Sequence, residues 1–111
     1  MITVEVADFR LFGRHGVHAH EKENGQEFVF DVALDVGDRG ANDVYADAVD
    51  YREVQRVVQG VNDARSYDLI EALATAVVDA LWERFAPAAV RVRVTKPAVK
   101  PGVVSVSASR P

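Results

Sequence analysis

Ile2, Val4 and Val6 stand on one parity of the chain, whereas Ala7, Phe9 and Leu11 stand on the other. A strand whose alternation slips by one residue produces this pattern, so the opening segment is read as a strand with a bulge near residue 7. From Gly13 to Gly25 the apolar periodicity stops, and His15, His18, His20 and the Glu21-Lys22-Glu23 cluster mark a loop. Alternation returns from Gln26 to Val36, with Phe28, Phe30, Val32, Leu34 and Val36 on one face and Glu27, Asp31 and Asp35 on the other. That pattern predicts an antiparallel strand with one wet face. Residues 37–48 carry Gly37, Asp38, Gly40, Asn42, Asp43 and Asp47, which predict a connection with room for one helical turn.

The period then changes. Tyr51, Val54, Val57, Val58 and Val61 form one helical stripe, and Asp50 and Glu53 have the spacing of a capping box. A second helix is predicted from about Leu69 to Phe85, with Ile70, Leu73, Val77, Leu81 and Phe85 on its stripe and Asp68 and Glu71 again at cap spacing. Pro87 ends it. Val90, Val92 and Val94 then oppose Arg91 and Arg93 in a third strand over Ala89–Thr95, closed by Lys96-Pro97. After a turn containing proline and glycine, Val104, Val106 and Ala108 alternate with Ser105, Ser107 and Ser109 as a fourth.

Two strands, two helices and two strands, with no repeat or linker, predict one α+β domain over residues 1–111, a four-stranded antiparallel sheet with two helices on one face. The other face and both sheet edges would stand open. Open edges are managed by pairing or closure, so the pattern also predicts a homo-oligomer.

Composition narrows the chemistry. The chain has 111 residues, of which 49% are hydrophobic and 27% charged, ordinary values for a folded domain. Its net charge of −4, with the two signs mixed along the chain, does not suit a nucleic-acid groove. The absence of cysteine excludes disulfides, thiolate metal sites and thiol nucleophiles. Acidic residues interrupt the N-terminal apolar stretch, so neither a signal peptide nor a membrane span is expected there, and the expected location is cytoplasmic.

Four residues are candidates for a site. Glu71 at the start of the second helix is explained either as a helix cap or as a carboxylate that accepts paired hydrogen bonds from an amino-pyrimidinone edge. Lys96, at a strand end before proline, is by default a solvated cation; buried among few acids, a lysine can serve as a general base near neutrality. Tyr51 either covers the core edge or relays a proton through its hydroxyl. Glu21 is by default a solvated charge, but it lies just before Gly25-Gln26 and the second strand. His15, His18 and His20 raise a zinc alternative, weakened by the lack of a fourth ligand at a recognised spacing. Gly13-Arg14-His15-Gly16 lacks the lysine, hydroxyl and following helix of a phosphate loop.

Phe12-Gly13-Arg14-His15-Gly16-Val17, Glu21 with Gly25-Gln26, Asp50-Tyr51, Leu69-Ile70-Glu71 and Thr95-Lys96-Pro97 occur in that order across nearly the whole chain. Together they resemble the dihydroneopterin aldolase family. The resemblance implies the tunnelling fold, in which sheets from several subunits join into a barrel with helices outside, and a homo-octamer of two stacked tetrameric rings. It implies a pterin substrate held by Glu71 and the main chain at Ile70, with Glu21, Tyr51 and Lys96 around the side chain being cleaved, in sites formed between subunits. It implies a retro-aldol reaction in folate biosynthesis without metal, Schiff base or cofactor.

Two departures from the family pattern bear on the site: a short Pro97–Val103 segment, which affects where Lys96 sits, and a divergent Val61–Tyr67 stretch in the pocket wall. An epimerase or oxygenase acting on dihydroneopterin, or its triphosphate for the epimerase, is the alternative on the same scaffold. A non-catalytic pterin- or purine-binding oligomer is the alternative from another class, and a His-based metal hydrolase a third.

Overall fold

The computed structural model describes residues 1–111. Its elements are β1 (Thr3–Gly13), α1 (Ala19–Asn24), β2 (Gln26–Asp35), a 3₁₀ turn (Tyr45–Asp47), α2 (Tyr51–Ala64), α3 (Ile70–Phe85), β3 (Ala89–Lys96) and β4 (Val104–Arg110). The strands form one antiparallel sheet in the order β1-β2-β3-β4, and α2 and α3 pack on one of its faces. No helix is long and apolar enough to cross a membrane.

The change of parity in β1 is a bulge. Val6 faces Val32 and Phe9 faces Phe30, so Ala7 and Asp8 of β1 stand against the single residue Asp31 of β2, and Asp8 takes the left-handed conformation at φ 56°. The slip returns Phe9 and Leu11 to the helix-facing side already occupied by Val4 and Val6, where all four pack against the core. The Asp31 carboxylate accepts the freed Asp8 N–H at 2.9 Å, so the bulge leaves that donor satisfied.

Phe28, Phe30, Val32 and Leu34 of β2 and Val90, Val92 and Val94 of β3 are buried beneath the helices, with Val54 and Val58 of α2 and Leu73, Val77, Leu81 and Phe85 of α3 packed over them. Glu5, Asp31, Arg91, Arg93 and Ser107 lie together on the uncovered face. At its C-terminus α3 stops at Ala86, in the left-handed conformation, just before Pro87. Arg39 donates to the carbonyls of Phe85 at 2.7 Å and Ala86 at 3.1 Å, satisfying two acceptors at this helix end.

Four local expectations are corrected. The segment predicted as a loop contains α1, a six-residue helix with no buried residue, which leaves no apolar stripe to detect. Tyr51 does not join the core stripe of α2: it is 59% exposed at the first helical position, where the chain is still turning onto the sheet. Asp50 caps α2 by accepting from Arg52 N, but Glu53 does not complete the box, because its carboxylate pairs with Arg56 and Arg84. The cap expected from Asp68 and Glu71 does not form either. Leu69 is the N-cap of α3, without a side-chain hydrogen bond, and Asp68 is drawn away by Lys22.

Candidate active site

An open cavity of about 400 Å³ lies where α1, the start of α3 and the β3–β4 connection converge. Glu21, Ile70, Glu71 and Lys96 all line it. Four of the five expected site residues therefore meet, although Glu21 and Ile70 lie 49 positions apart in the sequence and α3 and β3 separate Ile70 from Lys96. Tyr51 is not among the lining residues. Sequence reasoning weighed His18 only as a zinc ligand and did not single out the apolar rim of Val17, Leu69, Val99 and Val104. Val17, Leu69 and Val104 are exposed hydrophobic residues, which marks this rim as a surface that prefers a ligand or partner to water. No local pattern announces them, because they belong to loops or element ends.

Lys96 is the last residue of β3 and stands opposite Val104 of β4, so the sheet ladder fixes it whatever the length of the Pro97–Val103 segment. Its ammonium donates to Glu21 Oε2 at 2.7 Å, and the two side chains are only 16% and 14% exposed. The acid-poor setting considered for Lys96 is thus replaced by a close acid partner. The second Glu21 oxygen accepts from the His18 backbone N–H at 3.2 Å. The Lys96 ammonium holds Glu21 below the ordinary carboxylate range; burial opposes this, and the His18 N–H assists it.

Gly16 makes the approach of Glu21 possible. A Cβ on Gly16 would lie 2.4 Å from the Glu21 carboxyl carbon, so the glycine is required by contact as well as by its φ of 149°.

Glu71 projects from the first turn of α3 and is exposed. Since it caps nothing, its carboxylate stands beside first-turn amides that have no side-chain cap. This combination of an acceptor pair and adjacent main-chain donors matches the edge of an amino-pyrimidinone ring.

The histidines are not gathered for a metal. His15 is fully buried, its Nδ1 accepting from the Tyr67 backbone N–H at 3.1 Å and its Nε2 lying 2.8 Å from Asn62 Oδ1. Because a backbone N–H can only donate, the His15 proton belongs on Nε2, shared with Asn62, and the ring is neutral. Burial lowers its pKa, with the Asn62 hydrogen bond opposing. His18 and His20 instead stack on one another outside, with ring centroids 5.6 Å apart. The His15 bridge to Asn62 and Tyr67, with Gly16 N donating to the Tyr67 carbonyl at 2.9 Å, fastens the segment after β1 to the α2–α3 connection.

The motif order and the cavity point to the same family, and a profile of FolB, dihydroneopterin aldolase, matches residues 4–109. The chain belongs to the dihydroneopterin aldolase family. Among its relatives, the dihydroneopterin aldolase of Methylorubrum extorquens is 33% identical over 90 residues, 78% of this chain and 69% of that protein. The dihydroneopterin aldolase of Staphylococcus epidermidis strain RP62A is 40% identical over 67 residues, 59% of this chain and 55% of that protein. The crystal structure of the Escherichia coli dihydroneopterin aldolase in complex with neopterin superposes with a TM-score of 0.91 at 27% identity, covering 100% of both chains.

Proposed function

We propose that this member of the dihydroneopterin aldolase family cleaves 7,8-dihydroneopterin by a retro-aldol reaction, giving 6-hydroxymethyl-7,8-dihydropterin and glycolaldehyde for folate biosynthesis. The observation that carries the reading is the convergence of Glu71, the Glu21–Lys96 pair and the Ile70 main chain on one cavity. Glu71 and the first-turn amides of α3 hold the pterin ring. This leaves the ring's side chain toward Glu21 and Lys96.

Lys96 first releases its ammonium proton to solvent; the neutral amine, still held by Glu21, then accepts the proton of the 2′-hydroxyl through water. The 2′ oxygen becomes the glycolaldehyde carbonyl, the C1′–C2′ bond breaks, and its electrons enter the protonated dihydropterin ring as an enol. Tyr51 then helps return a proton to C1′, restoring the pterin with its hydroxymethyl group. General acid–base assistance of this kind is worth about 10²–10⁴ in rate.

Tyr51 is exposed and outside the cavity of its own chain, which fits a site completed by a second copy. The reading therefore includes a homo-octamer of two tetrameric rings, with β1 and β4 of neighbouring copies closing the open sheet edges, acting in the cytoplasm. Incubation with dihydroneopterin and chromatography of the products tests the proposal. Glycolaldehyde in equal amount to hydroxymethyldihydropterin is expected; conversion without glycolaldehyde would mean epimerisation or oxidation instead, and binding without conversion a silent pterin-binding oligomer.

A further inference from the structure

α1 is too short to persist by its own hydrogen bonds, and it adds no residue to the hydrophobic core. Yet it carries Glu21. What holds it is polar: Lys22 Nζ donates to Asp68 Oδ1 at 2.6 Å and to Ser66 Oγ at 3.2 Å, Ser66 Oγ in turn donates to the Arg14 carbonyl, and Arg14 Nη1 donates to the carbonyls of Lys22 and Glu23. Asp68 immediately precedes Leu69, the N-cap of α3, and the anchor residues Ile70 and Glu71. Consecutive helical side chains diverge by about 100° around the axis. Glu21 accordingly grips Lys96 at the end of β3, while Lys22 grips the approach to α3.

We propose that Lys22, through its ion pair with Asp68, is a positioning residue that fixes the spacing between the Glu21–Lys96 pair and the Glu71 anchor. One helical turn thereby ties both halves of the cavity together. The inference rests on the aldolase reading above. The Lys22 side chain is 35% exposed and that of Asp68 72% exposed, so the pair adds little to global stability and its effect lies in placement. The Lys22 ammonium nevertheless holds the Asp68 carboxyl below its ordinary range, as a formed pair requires.

The test has two independent readouts on the full-length protein. In Lys22→Ala, hydrogen exchange of the Lys22 and Gly25 amides, which are bonded to the carbonyls of His18 and Glu21, accelerates without ligand, whereas α3 amides and the thermal midpoint stay as in the parent. With dihydroneopterin, kcat/KM falls by about tenfold, as a misplaced catalytic group would cause. Lys22→Arg restores both readouts, and Lys22→Ala/Asp68→Ala is no slower than either single variant. Unchanged exchange in Lys22→Ala, unchanged kcat/KM, or additive losses in the double variant would each overturn the proposal. A parent protein that never cleaves dihydroneopterin would instead overturn the functional reading, a result the exchange data cannot mimic.

Discussion

Glu21 and Lys96 lie 75 positions apart in the sequence and meet at 2.7 Å in the cavity wall, each largely shielded from water. Neither side chain has that setting by itself: Glu21 sits on a helix with no apolar residue in the core, and Lys96 ends a strand. Their pairing makes removal of Lys96 a test of chemistry rather than of ring binding. Lys96→Ala is expected to lower kcat by 10²-fold or more, about the worth of general acid–base assistance, while neopterin affinity, measured by fluorescence titration, stays within about tenfold. Turnover at the parental rate would remove Lys96 from the mechanism.

The opposite division applies to Glu71. Because it is exposed and caps no helix, Glu71→Gln should leave the thermal midpoint unchanged. It should still weaken pterin binding by about 10–100-fold, the range for losing one partner of a charged hydrogen-bonded pair worth about 1.5–3 kcal/mol. Calorimetric titration with neopterin checks it. Unfolding of the variant would restore the capping role that the structure denies to this residue.

Much of the architecture was legible because β1–β4 and α3 carry strong periodicities. The parity change at Ala7 and Asp8 even located the bulge to within a residue. Two kinds of feature escaped. α1 could not be seen, since a helix that adds no residue to the hydrophobic core leaves no stripe. The fate of Asp68 could not be seen either: its spacing to Glu71 is that of a cap, but Lys22, 46 positions away, competes for the carboxylate. Long-range polar partners of this sort have no local signature, and they decided whether Glu71 was spent on a helix or left free. Tyr51 was misplaced for a related reason, since a stripe position at the first turn of a helix need not reach the core.

Gly16 supplies a steric test of the Glu21 placement. In Gly16→Ala the new methyl group collides with the Glu21 carboxyl, which must move away from Lys96 or take the backbone with it. We expect kcat/KM to fall by about 10–100-fold, the scale on which a displacement of an ångström acts. Steady-state kinetics beside the thermal midpoint separates this from unfolding, and an unimpaired variant would show that Glu21 need not hold its observed position.

His15 should make stability depend on pH in a predictable direction. Burial lowers its pKa in the folded chain, so below the ordinary value near 6.5 the unfolded chain binds a proton that the native state refuses. Stability contributed by the neutral ring is complete above about pH 6.5 and declines as pH falls toward the depressed native value. Glu21, also depressed, acts in a separate and lower window: its stabilisation is present above about pH 4.3 and declines as pH falls through its native value. Urea midpoints at pH 7.5 and 5.5 should therefore differ in the parent. His15→Gln should lose that difference, together with about 1–3 kcal/mol from the unsatisfied Asn62 and Tyr67 partners.

Tyr51 offers the sharpest test of a site shared between copies. It is exposed at the start of α2 and absent from the cavity formed by its own chain. If the hydroxyl acts on a neighbour's substrate, Tyr51→Phe and Lys96→Ala are each nearly inactive alone. Mixed by unfolding and refolding together, they recover activity, because some sites then combine an intact Tyr51 from one copy with an intact Lys96 from the other. If both residues serve the same chain's site, no mixture can contain an intact pair and no activity returns. The recovered fraction should rise and fall with the ratio of the two variants and peak at equal amounts, a dependence that contamination by parent protein would not produce.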